Sequence, residues 1–255
     1  MMHPASASDL PTPDDASRDV DVMIHSLGLQ LIRRYLNQHH WGDESEAALA
    51  ADALEPGLKL ENVAAHSWHV ADATLLLAPN FSDVDAHLAL ELAILHDKLE
   101  LFTGDLDPTG IDGQGTRSHV FDPSAQRAKA ELEQAALERY IGQLREPIRA
   151  RQRALLVETI EARSNEARFV KAVDKLQALT FVLAKKAGMM TNEHITFSLR
   201  YSHKAVEYFP RLEIHYHILV NRMIALVADH RSISSTQLLE SLPEKVCSEL
   251  RNMIA

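Results

Sequence analysis

Valine, isoleucine and threonine nowhere alternate with polar residues over the length of a strand in this chain, whereas apolar residues recur at three- and four-residue spacing along most of it. That periodicity belongs to helices. Only nine glycines interrupt 255 residues, and Gly104, Gly110, Gly113, Gly115 and Gly188 fall at or after the ends of apolar runs. The pattern predicts an all-α protein of about ten helices. Ser82 and Asp85 have the spacing of a capping box opening a helix through Phe102. Asp122-Pro123 offers an N-cap and a first-turn proline, and Ser234 with Gln237 repeats the capping-box spacing. Residues 105–123, rich in Gly and Pro, read as a long loop, and loops of that length are usually functional lids or disordered. Residues 1–18, rich in Pro, Ser and Asp, are expected to be a disordered tail, leaving 19–255 as one helical domain.

Several function classes drop out on composition. A domain of this length buries roughly 70–75% of its unfolded surface and needs no disulfide. The single cysteine, Cys247, excludes an internal disulfide framework and any multi-cysteine zinc site. No stretch approaches about 18 uninterrupted apolar residues, so no membrane helix is expected. The N-terminus lacks a basic start and an apolar segment, which predicts no secretory signal and a reducing, cytoplasmic setting. Thirty-six acids against 26 bases give a net charge of −10, with no basic stripe to attract a long nucleic acid. A small phosphorylated ligand is compatible, because a pocket presents local charge.

Three helices carry acid or imidazole groups inside apolar stripes. In residues 61–78, His66 lines up with Val63, Val70 and Leu77. In residues 87–102, Leu88, Leu92, Leu95 and Leu99 flank the adjacent pair His96-Asp97, and Glu100 follows one turn later. In residues 167–184, Asp174 interrupts a nearly continuous apolar run. A single inward His or Asp is more often a hydrogen-bonded core group than a ligand. Three helices offering His, His-Asp and Asp together favour a metal site, since a carboxylate in such a run is costly unless paired or metal-bound. Two imidazoles and two carboxylates without thiolate suit one octahedral divalent ion, Mn, Co, Fe, Ni or Mg, with Zn also compatible.

These residues resemble the HD-domain metal phosphohydrolases, most closely the branch of bacterial 5′-deoxynucleotidases and their eukaryotic relatives. The resemblance is carried by ENVAAHSWHVA (61–71), LHDKLELFTGD (95–105) and EARFVKAVDKLQAL (166–179), with a subsidiary match at AKAELEQAAL (128–137). It spans residues 57–184 as the metal-site core and leaves 188–255 as a C-terminal helical extension. It implies an HD-type helical bundle, commonly a homodimer, with His66, His96, Asp97 and Asp174 as metal ligands. Glu100 matches the catalytic acid, and Asp105 a second acidic residue beside the substrate. The implied reaction is hydrolysis of a phosphate monoester, typically a (deoxy)nucleoside 5′-monophosphate.

The sequence also departs from the family. Ala65 stands where NVAEHS has glutamate, and Lys98 sits inside HD-x-x-E where a neutral residue is commoner. In the deoxynucleotidases an Arg-Trp pair ahead of the first motif holds phosphate and sugar. Here Arg33, Arg34 and Trp41 are near but differently spaced, which makes Lys59, just before the motif, the better phosphate candidate, with Lys98 a second. Rival readings are an HD hydrolase of a di-, tri- or cyclic nucleotide, and a non-catalytic nucleotide-binding protein on the same fold.

Overall fold

A computed structural model describes residues 12–35, 38–41, 60–109, 115–146, 148–244 and 246–247. The described residues form helices and turns, and their one β-bridge is isolated, between Arg33 and Asn62. The helices, in order, are α1 (Pro13–Ser26), α2 (Val63–Leu77), α3 (Ala86–Leu95), α4 (Glu100–Thr103), α5 (Pro123–Ile141) and α6 (Ile148–Glu161). They continue as α7 (Asn165–Lys186), α8 (Asn192–Ser202), α9 (Lys204–Tyr208), α10 (Glu213–His230) and α11 (Ser235–Glu240).

Helix α7 is the axis of the bundle. It buries residues all round, from Ala167 and Phe169 through Leu176 and Leu179 to Val182, and packs against α2, α3, α6, α8, α9 and α10. Ser164 caps its start by accepting from the Ala167 amide. After Lys186 the chain turns through Ala187 (φ 46°) and Gly188 (φ 92°). A Cβ at Gly188 would stand 2.4 Å from the Leu226 carbonyl oxygen, so α10 can approach only a glycine there. Helix α10 then seals the core with Tyr216, Val220, Met223, Ile224 and Val227. The described residues beyond 188 therefore contribute to the same core.

Three expectations about boundaries change. The expected disordered tail is helical from Pro13: Thr12 and Asp15 form a capping box, and the Arg145 guanidinium grips Asp19 on α1. The same Pro and Asp that suggested disorder are helix-starting residues; residues 1–11 lie outside the described residues. The cap of α3 is Asp85 itself, accepting from the His87 and Leu88 amides, instead of Ser82. Nor does that helix run on to Phe102. Between His96 and Leu99 it tightens to three-residue hydrogen bonds, Lys98 to Leu95 and Glu100 to Asp97, before α4 begins. Asp122 does cap α5 with Pro123 in its first turn, and Ser234 with Gln237 does form a capping box.

The loop after α4 folds back on itself through Gly115, whose amide donates to Thr109 O. It is pinned to α8 by Phe121, which lies against Phe197 and Tyr201 and under the Arg200 guanidinium.

Candidate metal centre

Helices α2, α3 and α7 each bring one donor to a single point. His66 lies on the buried face of α2 with Val63, Val70 and Thr74. His96 ends α3, and Asp174 sits midway along α7. One atom from each lies within 4.8 Å of the others. His66 Nε2 is 3.1 Å from Asp174 Oδ1 and 3.2 Å from His96 Nε2. Asp97 stands beside them, its Oδ2 3.4 Å from His66 Nε2 and 3.2 Å from His96 Nε2.

Each imidazole is turned by a second hydrogen bond. His96 Nδ1 donates to the Ala93 carbonyl at 2.7 Å, leaving the Nε2 lone pair toward the cluster. His66 is set by a longer chain. Gln177 Nε2 donates to Glu61 Oε1 at 2.8 Å, so Gln177 Oε1 is free to accept from His66 Nδ1 at 2.7 Å. Glu61, buried just before the Asn62 N-cap, also meets His69 Nδ1 at 3.1 Å and lies 3.5 Å from Arg34 Nη1.

The acids divide by environment. Burial opposes ionisation of Asp97 and Asp174, but His96 beside the first and Lys175 beside the second, with His66 near both, hold both carboxyls below their ordinary range. Burial and the Arg34 charge likewise oppose protonation of His66. Hydrogen bonds to Asp174 and Glu61 outweigh them and push it up to about 9. Glu100 goes the other way: burial first, then the Asp97 and Asp105 charges, push it well above a free carboxyl, and its Oε2 is buried without a hydrogen-bond partner. Burial raises Asp105 as well, against the pull of Arg34.

A cleft of about 120 Å³ opens over the cluster. Its polar lining includes His96, Asp97, Glu100, Asp105 and Asp174 with Arg34, and also Lys129, Glu133, Lys171, Lys175, His119 and Tyr201. The structure thus brings together His66, His96, Asp97, Asp174, Glu100 and Asp105. It does not bring Lys98, whose Nζ donates to Ser26 Oγ at 2.6 Å and lies over the Tyr140 ring. The phosphate role expected of Lys98 is therefore corrected. Lys59 lies outside the described residues.

Sequence reasoning passed over Arg34, which lines the cleft with Nε and Nη1 buried and free of hydrogen-bond partners. Trp41, weighed beside it, is a core residue under Lys186 and edge-on to His194. Gln177 was also missed, although it breaks the apolar run of α7 one turn after Asp174, the signal that singled out Asp174. His119 and Tyr201 come from a loop and from α8, and no local pattern ties either to the motifs.

A family model described as HD domain matches residues 51–213 of the chain. No curated protein matches it. Among solved structures, a predicted metal-dependent phosphohydrolase from Magnetospirillum magnetotacticum MS-1 is similar, with a TM-score of 0.57 and 22% identity over 83% of this chain and 96% of that one. At that identity the likeness is one of fold.

Proposed function

The chain belongs to the HD-domain family, and on that premise we propose that it is a metal-dependent phosphohydrolase cleaving a phosphate monoester, with a (deoxy)nucleoside 5′-monophosphate as substrate. The observation that carries the reading is the meeting of His66, His96 and Asp174 from three helices, with Asp97 beside them. The donor set fits a divalent ion. Both carboxyls are held ionised, and His96 presents its Nε2 lone pair to the cluster. When bound there, such an ion lowers the pKa of a water and polarises a phosphoryl oxygen.

The chain's own groups supply the rest. Arg34 lines the cleft with Nε and Nη1 making no hydrogen bond, although Nη1 is ion-paired with Glu61 at 3.5 Å, and its guanidinium is suited to two phosphate oxygens. Lys175, held by Asp174 at 2.7 Å and by Tyr201 at 2.8 Å, adds positive charge beside them. Glu100, kept protonated by burial and like charges, donates a proton to the leaving oxygen. The 5′-nucleotide preference and a homodimeric assembly rest on the family resemblance of the sequence.

The test is a panel of phosphorylated metabolites with Mn or Co, assayed for released phosphate. Nucleoside 5′-monophosphates should be the better substrates. Preferential turnover of di-, tri- or cyclic nucleotides would replace the substrate, and binding without release under every metal would make the protein a non-catalytic binder. Sedimentation at micromolar concentration should give twice the mass of the chain; a monomer would remove the dimer.

A further inference from the structure

We propose that the cleft contains a second anion subsite, formed by Lys171, Lys129 and His119 between α7, α5 and the loop before α5, and that a phosphate monoester bearing a second phosphate or carboxylate, on a nucleotide one carried by its sugar, is preferred over the plain monophosphate. The substrate half of this inference rests on the hydrolase reading above; the subsite itself does not.

The positive groups of the cleft fall into two sets. Arg34 interacts with the acids of the metal side, Asp105, Glu61 and Asp97. Lys175 is bound to Asp174 and Tyr201 and belongs to the metal centre. Lys129 has a partner of its own in Glu133, one turn along α5. Lys171 has none. It stands on the same face of α7 one turn before Lys175, lines the cleft, and makes no hydrogen bond or ion pair with any described residue.

Its strongest charge interactions are repulsive, with Lys175 and then Lys129, and only after these come Glu133 and Asp174, both already engaged by other bases. Burial and these like charges pull the Lys171 ammonium below its ordinary value. Burial and the same lysines take His119 down to about 3, so a neutral imidazole faces the group and can donate one N–H. Three ammoniums sharing two committed carboxylates form an unbalanced wall, and such a wall is stabilised by a bound anion. Arg34 and Lys175 face the acids of the metal centre, so the surplus at Lys171 and Lys129 is available to another group.

Propane-1,3-diol bisphosphate and propyl phosphate differ only in the second phosphate, and 3-phosphooxypropanoate puts a carboxylate in its place. With the Mn-loaded full chain, the bisphosphate should be favoured over propyl phosphate by about tenfold or more in kcat/KM, mainly through KM. Lys171→Met should collapse that ratio and Lys171→Arg should preserve it. A preference for the phosphooxy acid over the bisphosphate assigns the second anion as a carboxylate. A wild-type ratio near one, or a ratio unmoved by Lys171→Met, overturns the inference.

Calorimetric titration of the bisphosphate into chelator-treated protein separates the two claims. Binding weakened about tenfold by Lys171→Met upholds the subsite even if nothing is hydrolysed, in which case the hydrolase reading fails alone. Binding that is absent, or unaffected by the substitution, removes the subsite even if hydrolysis stands. Lys171→Met deletes a desolvated charge, so its Tm should equal or exceed that of the wild type, which excludes misfolding as the cause.

Discussion

Asp174 and Glu100 are acids in the same cleft with opposite electrostatics, and substitution should separate their jobs. Asp174, held ionised beside Lys175 and His66, is placed to bind metal; Asp174→Ala should lose it. Glu100, pushed toward its protonated form, is placed to move a proton. Glu100→Gln should keep stoichiometric metal while turnover falls by roughly 10²–10⁴. Metal analysis with steady-state rates checks both, and a Glu100→Gln protein without metal would make Glu100 a ligand. His119 gives the pH prediction. Burial and then the Lys129, Lys175 and Lys171 charges depress its folded value to about 3, against 6.5 for the free imidazole. The unfolded chain therefore binds the proton first. The associated stability is complete above about pH 6.5 and falls as pH drops toward 3, by about 2 kcal/mol at pH 5. Denaturation of wild type and His119→Gln from pH 7.5 to 5 should show the two converging or crossing. A constant gap would mean that His119 is not depressed.

At the scale of elements, the N-cap of α3 tests a correction. Asp85 accepts two amide hydrogens at the start of α3, whereas Ser82 lies three residues before that cap. Asp85→Ala should cost about 1 kcal/mol, and Ser82→Ala only a few tenths. Equal losses in urea denaturation would restore Ser82 as the cap. The turn after α7 gives a larger effect: Gly188→Ala meets both a left-handed φ and the Leu226 carbonyl, and should lower stability by about 1–3 kcal/mol. The helices that hold the metal cluster were legible because burial imposes apolar periodicity, and a His or Asp breaks it visibly. The break after His96 was not legible. An α-helix and a turn of three-residue hydrogen bonds both bring Glu100 near His96 and Asp97, and in both position 98 faces away from His96, about 200° round an α-helix, here to Ser26. Lys98 was offered as a phosphate group because it stands inside HD-x-x-E, and a place in a motif does not give the direction of a side chain.

For the whole molecule, the metal centre is a tie between α2, α3 and α7. An ion that binds only the folded chain should raise Tm, by the equivalent of about 2.7 kcal/mol at a hundredfold excess over Kd. Chelation should reverse the rise and abolish phosphatase activity, with Mn or Co restoring both; His66→Ala should show no shift. A fully active, unshifted metal-free protein would sink the metal-dependent reading. The sequence by itself determined the all-α class, the helical stripes and the polar residues inside them, because each depends on neighbours within a turn or two. The part of the cleft wall made by Arg34 and Tyr201 depended on the tertiary structure alone. Arg34 stands 32 positions before His66, and Tyr201 27 positions after Asp174. Both reach the cleft only once α2, α7 and α8 are packed, and through that packing a surface-like basic residue becomes a buried guanidinium beside Glu61 with its Nε making no hydrogen bond.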